Sequence, residues 1–134
     1  MNFDDLTEQD RNLVKAAGRI IRKRKSKLSG VGAALITKTG MIFRGVDIDV
    51  EVSSCSICAE YAAIGTMVSE GENVIDTIVA VDYKGQIIPP CGKCREFISE
   101  FGNPYVIVDV GGKLKKSRLS DLYPLPWRSF PVSN

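Results

Sequence analysis

Residues 74–110 read VIDTIVAVDYKGQIIPPCGKCREFISEFGNPYVIVDV. The run 74–83 is apolar and β-branched, as a buried strand is. Gly85 to Pro90 carry turn chemistry. Residues 91–102 have helical spacing and stop at Gly102. Residues 104–110 form a second apolar, β-branched run. Strand, helix and strand within 37 residues predict a crossover packed on a sheet, which places the chain among the α/β folds.

Working outward, residues 58–70 predict a helix ended by Gly71 as its C′ residue. VGAALIT (31–37) and MIFRGVDI (41–48) are β-prone runs separated by Lys38-Thr39-Gly40, which reads as a hairpin. Residues 4–24 predict a helix, with Leu6, Leu13, Val14, Ala17, Ile20 and Ile21 at helical spacing and Asp4 or Thr7 as its cap. Past residue 110, KLKK (113–116) adds a fifth strand and SRLSDLY a final helical turn. The order α-β-β-α-β-α-β-β-α predicts a three-layer α-β-α domain around a mixed five-stranded sheet. No repeat or low-complexity stretch divides residues 1–134, so one domain is expected.

Composition narrows the function. The 134 residues are 44% apolar, enough for a real core. The net charge of +2 is too small for a polyanion binder, so a small-molecule partner is expected and a polynucleotide is not. The basic run Arg22 to Lys27 reads first as a solvated helix end whose cations suit the dipole. No apolar run approaches the ~20 residues of a membrane span, so no membrane partner is expected. The acidic, polar start MNFDDLTEQD is unlike a secretory signal, which points to the cytoplasm. Four cysteines in such a chain suggest metal or catalytic use rather than disulfides. With no histidine, His-based triads and His-ligated zinc sites are excluded.

Three of those cysteines sit in two motifs at predicted helix starts: Cys58-Ala59-Glu60, and Pro90-Cys91-Gly92-Lys93-Cys94. A C-x-x-C alone also fits redox sites and structural zinc knuckles. Adding Cys-x-Glu upstream matches the signature of zinc-dependent nucleobase deaminases. Three thiolates fill three positions of a tetrahedral Zn²⁺ and leave the fourth for water, one ion per chain. Helix N-termini offset the excess negative charge. Arg95, next to Cys94, is expected to donate to a thiolate. Glu60, two residues past Cys58, can serve as base and then as acid without ligating the metal. Cys55 reads as a spare loop thiol. The rival readings are a zinc-stabilised binding module without turnover and a deaminase of a different aminated base.

On these motifs the chain resembles the cytidine deaminase superfamily, particularly its small cytidine and blasticidin-S deaminases. VGAALITKTG resembles the family's first hairpin, SICAE and PCGKCREFISEF its two metal motifs, and LYPLPW its closing Leu-Pro and aromatic. The resemblance implies a homotetramer with shared active sites and a hydrolytic deamination of cytidine, deoxycytidine or blasticidin S. It also implies substrate contacts from Ala59, from Trp127, and from Asp47 and Asp49, which stand where cytidine deaminases hold ribose with Asn-x-Glu. Two further departures mark the chain. Tyr61 replaces an arginine common after Cys-Ala-Glu, and Lys27-Leu28-Ser29-Gly30 replaces an aromatic before Val31. The wording of VGAALITKTG, CAEYAAIG and TIVAVDY is closest to the bacterial blasticidin-S type.

Overall fold

The structure, a computed structural model, describes residues 1–128. Its elements in chain order are β1 (Asp4–Asp5), α1 (Glu8–Arg24), β2 (Val31–Thr37), β3 (Ile42–Val46), α2 (Ala59–Ser69), β4 (Ile75–Asp82), α3 (Gly92–Ser99), β5 (Tyr105–Val110), β6 (Lys113–Arg118) and α4 (Leu119–Leu122). The sheet order is β1-β6-β5-β4-β2-β3. β4 and β5 run parallel on either side of α3, as the 74–110 stretch predicted, and the other neighbours are antiparallel.

Both sheet faces are covered, and the central strands show it residue by residue. Ala33, Leu35, Ile78 and Ala80 point toward α2 and α3, packing with Ala63, Ile64, Met67 and Ile98. Their neighbours Ala34, Ile36, Val79 and Val81 point toward α1, packing with Leu13, Ala17 and Ile21. A strand buried on both faces reads as a continuous apolar run, which is how VGAALIT and TIVAV read. This is the expected three-layer α-β-α arrangement. Among the described residues no helix is long and apolar enough to cross a membrane.

Among the described residues the sheet has six strands rather than five, and the N-terminal helix starts later than expected. Thr7, not Asp4, caps α1. Its hydroxyl accepts from the Asp10 N–H at 3.1 Å, and the Asp10 carboxylate accepts from the Thr7 N–H at 2.9 Å. That reciprocal box fixes the start of the helix and leaves Asp4 and Asp5 extended. They pair opposite Lys116 and Lys115, and Asp5 bonds the Lys115 ammonium.

Asp10 also joins α1 to the sheet. It is buried, and its Oδ2 lies 2.8 Å from Lys116 Nζ. Burial opposes its ionisation, but Lys116 and Thr7 outweigh burial and hold its carboxyl below the usual carboxylate range. A depressed native pKa contributes stability above the unfolded value of ~3.9, and that stability is lost as pH falls toward the native pKa. Asp10→Asn is therefore expected to cost ~3 kcal/mol at pH 7, the scale for breaking a buried pair. The gap from wild type should narrow in acid. Urea midpoints at pH 7 and pH 3 check this, and coincident midpoints at pH 7 would remove the ion pair from the account.

Glycine at position 45 sets the distance between sheet and site. A Cβ on Gly45 would overlap the Ala63 backbone nitrogen and the Ala62 side chain. With hydrogen there, α2 lies directly on β3 and its N-terminus is fixed against the sheet.

Candidate active site

The two cysteine motifs meet where α2 and α3 begin. Cys58 is the N-cap of α2, and Cys91 is the N-cap of α3. Cys94 lies in the first turn of α3 and is buried. The three sulfurs lie within 4.8 Å of one another. A tetrahedral Zn²⁺ with bonds of ~2.3 Å spaces its thiolates ~3.8 Å apart, so the cluster is of the right size. Cys55 is exposed and stands outside the cluster.

The sulfurs compete for ionisation. Burial pushes the Cys94 thiol far above its usual range, and Glu60, Cys58 and Cys91 add to the push. Burial also raises Cys58, against a hydrogen bond from Cys94 and with the charges of Cys91 and Glu60. At Cys91 burial is outweighed by the N–H groups of Cys94 and Lys93 and by the other two thiols, so its pKa falls. Those N–H groups are the free donors of the first turn of α3. Three thiolates of this kind coexist only around a cation, and an all-sulfur donor set of three suits Zn²⁺. The chemistry of the donors therefore fits the metal.

Glu60, in the first turn of α2, is 6% exposed. Burial raises its pKa, with a further push from Asp47. Glu60 and the three cysteines line a cavity of about 370 Å³ together with Asp47, Asp49, Ala59 and Lys93. Asp47 is itself nearly buried, and its Oδ1 accepts from the Gly30 and Val31 N–H groups, both at 2.8 Å. Asp49 is exposed. A hydrogen bond with the Asp47 carboxyl, and that group's charge, raise its pKa.

Two expected contacts are differently placed. Arg95 does not turn to sulfur: its Nε donates to the Pro90 carbonyl at 2.8 Å and its Nη1 to the Leu122 carbonyl at 2.9 Å. One residue past Cys94 is ~100° around the helix, which aims Arg95 at the loop and the chain end. Trp127 is not among the residues lining the cavity and is 80% exposed. Lys93 was missed as a site residue, although its position inside the Cys91–Cys94 spacing put it on the same cavity wall as the thiols. Among the described residues it is the one cation on the cavity wall, with its Nζ 4.9 Å from the centre of the Tyr61 ring. Tyr61 in turn stacks on Phe97. Ile88 and Pro89 close another side of the cavity, and no motif announced them.

A family model described as the cytidine and deoxycytidylate deaminase zinc-binding region matches residues 7–110. The Blasticidin-S deaminase of Bacillus cereus is 37% identical, over 95% of this chain and 98% of its own length. A cytidine deaminase of Mycobacterium tuberculosis is 30% identical over 70% of this chain and 69% of its own. The crystal structure of cytidine deaminase from Mycobacterium tuberculosis superposes with a TM-score of 0.78 at 24% identity, covering 92% of this chain and 100% of that one, a likeness of fold.

Proposed function

The chain belongs to the cytidine and deoxycytidylate deaminase family, and we propose on that footing that Cys58, Cys91 and Cys94 are its zinc ligands and Glu60 its proton carrier. The protein is a zinc-dependent hydrolytic deaminase that converts the 4-amino group of a cytosine-type nucleoside or analogue to a keto group and releases ammonia. The observation that carries the assignment of residues is the meeting of three thiols and one buried carboxyl on the wall of a single cavity.

Cys58, Cys91 and Cys94 would hold the zinc, which when bound would supply the Lewis acidity that makes water a nucleophile near neutral pH. Glu60 then handles every proton. It accepts one from the attacking water as the oxygen bonds to C4 of the base. It delivers that proton to the ring nitrogen. It takes a second from the new C4 hydroxyl and gives it to the amine as the C4–N bond breaks, so that ammonia leaves and a C4 keto group remains. A carboxyl whose pKa is raised by burial suits both the basic and the acidic half of that cycle. Ala59, buried beside Glu60 on the cavity wall, offers its backbone to the base.

Asp47 and Asp49 face the sugar. Asp47 is fixed by the Gly30 and Val31 N–H groups, and exposed Asp49, hydrogen-bonded to the Asp47 carboxyl, extends the same wall. Among the described residues the wall carries Asp47, Asp49 and Glu60 against Lys93 alone. That balance disfavours a phosphate, so the substrate is a nucleoside or a nucleoside antibiotic such as blasticidin S rather than a nucleotide. The near full-length similarity to a blasticidin-S deaminase supports the antibiotic. Asp49→Ala is expected to raise KM for a ribosylated substrate by about tenfold or more, the value of a hydrogen bond to a charged group, and to leave free cytosine unaffected. Equal effects on both would make Asp49 a solvated loop residue with no part in holding the sugar. Cytidine monophosphate handled as well as cytidine would defeat the charge argument.

The enzyme acts in the cytoplasm as a homotetramer with shared sites. Trp127 and Leu125, 80% and 87% exposed and off the chain's own cavity, support an aromatic offered to a neighbouring copy. Light scattering of the active protein at the mass of one chain would refute sharing.

A further inference from the structure

The carboxylate of Glu96 has no part in the chemistry above, yet it gathers the end of the chain. Its Oε1 accepts from the Tyr123 hydroxyl at 2.8 Å and from the Trp127 N–H at 2.9 Å. The Ser99 hydroxyl, one helical turn on, lies 3.4 Å from its other oxygen and also donates to the Glu96 carbonyl. The preceding residue, Arg95, bonds Leu122 from the same helix. Two neighbouring residues of α3 thus hold positions 122, 123 and 127. This is the helix whose first turn carries Cys91 and Cys94.

The two bonds to Oε1 are of different kinds. Tyr123 packs its ring against the core beneath α3, so its hydroxyl comes to Glu96 from a fixed base. Trp127 is exposed and brings only its backbone N–H. For an exposed residue with two prolines just before it, Pro124 and Pro126, a charge-assisted bond is a strong local constraint. Removing it frees the segment after Tyr123 while Tyr123 itself stays packed.

We propose that Glu96 is a positioning residue that seats the C-terminal aromatic on the metal-bearing helix and sets where Trp127 is presented. Its effect on catalysis rests on the proposed reading of Trp127 as an aromatic offered to a neighbouring copy, where it would cover the base. The seating itself does not depend on that reading.

Trp127 is the only tryptophan in the chain, so its fluorescence reports this one position. The test uses zinc-replete full-length protein as wild type, Glu96→Ala and Glu96→Gln, with zinc content measured in each. Glu96→Ala is expected to lower the steady-state anisotropy of Trp127 and shift its emission, with zinc content unchanged. Glu96→Gln keeps an acceptor oxygen and should restore most of the wild-type signal, which separates the latch from a general loss of folding. KM is expected to rise roughly tenfold in Glu96→Ala, the scale of a lost charge-assisted hydrogen bond, with kcat changed far less. The same substitution in a Trp127→Ala background should add nothing to KM, because both act through one contact. Wild-type anisotropy and emission in Glu96→Ala would overturn the proposal. An altered fluorescence with an unaltered KM would keep the latch and reject the base-covering role of Trp127.

Discussion

Glu60→Gln is expected to lower turnover by at least ~10²-fold while zinc remains bound. Glutamine keeps the shape and the neutral hydrogen bonds of the protonated acid but cannot take the proton of the attacking water. The loss should fall on kcat, because the cavity wall with Asp47 and Asp49, proposed above to hold the sugar, is left intact. Zinc should stay because Glu60 is not one of the three clustered donors. Metal analysis and steady-state kinetics on the same preparation check both halves. Near-normal kcat would remove Glu60 from the mechanism, and lost zinc would make it a ligand.

Cys91→Ala is expected to take zinc from about one ion per chain to trace amounts and to abolish turnover. Loss of a mere partner of a metal ligand costs ~10–100-fold in affinity, and loss of a ligand should exceed that. Cys91 is the informative choice because it is exposed, whereas Cys94 is packed in the core. Truncating Cys94 removes packing and metal together. The melting temperature should also drop, since the starts of α2 and α3 lose their common tie. Cys55→Ala, outside the cluster, should keep zinc and activity. Full zinc occupancy in Cys91→Ala would refute the ligand set.

The parts of this molecule that were legible in advance are those governed by pattern and spacing. VGAALIT and TIVAVDY are apolar at every central position because both faces of their strands are covered, by α1 on one side and by α2 and α3 on the other. The metal cluster was legible because helix starts bring Cys58, Cys91 and Cys94 together. The sixth strand was not legible. Asp4-Asp5 has no apolar pattern, and its pairing depends on lysines more than a hundred positions away. Arg95 was misread because adjacency in sequence suggested a contact that the rotation of the helix denies. Asp47 illustrates a third kind of gap: one of its oxygens serves the backbone of residues 30 and 31, a tertiary bond that no local motif encodes.

The most direct test of the central claim is deamination by the zinc-replete protein in ¹⁸O-labelled water, with cytidine, deoxycytidine and blasticidin S as substrates. The account predicts that at least one of them releases one ammonia per product molecule, that the product carries one labelled oxygen at C4, and that Glu60→Gln forms it at least ~10²-fold more slowly. Zinc-replete protein that releases ammonia from none of the three, or a deaminated product without the label, would contradict it.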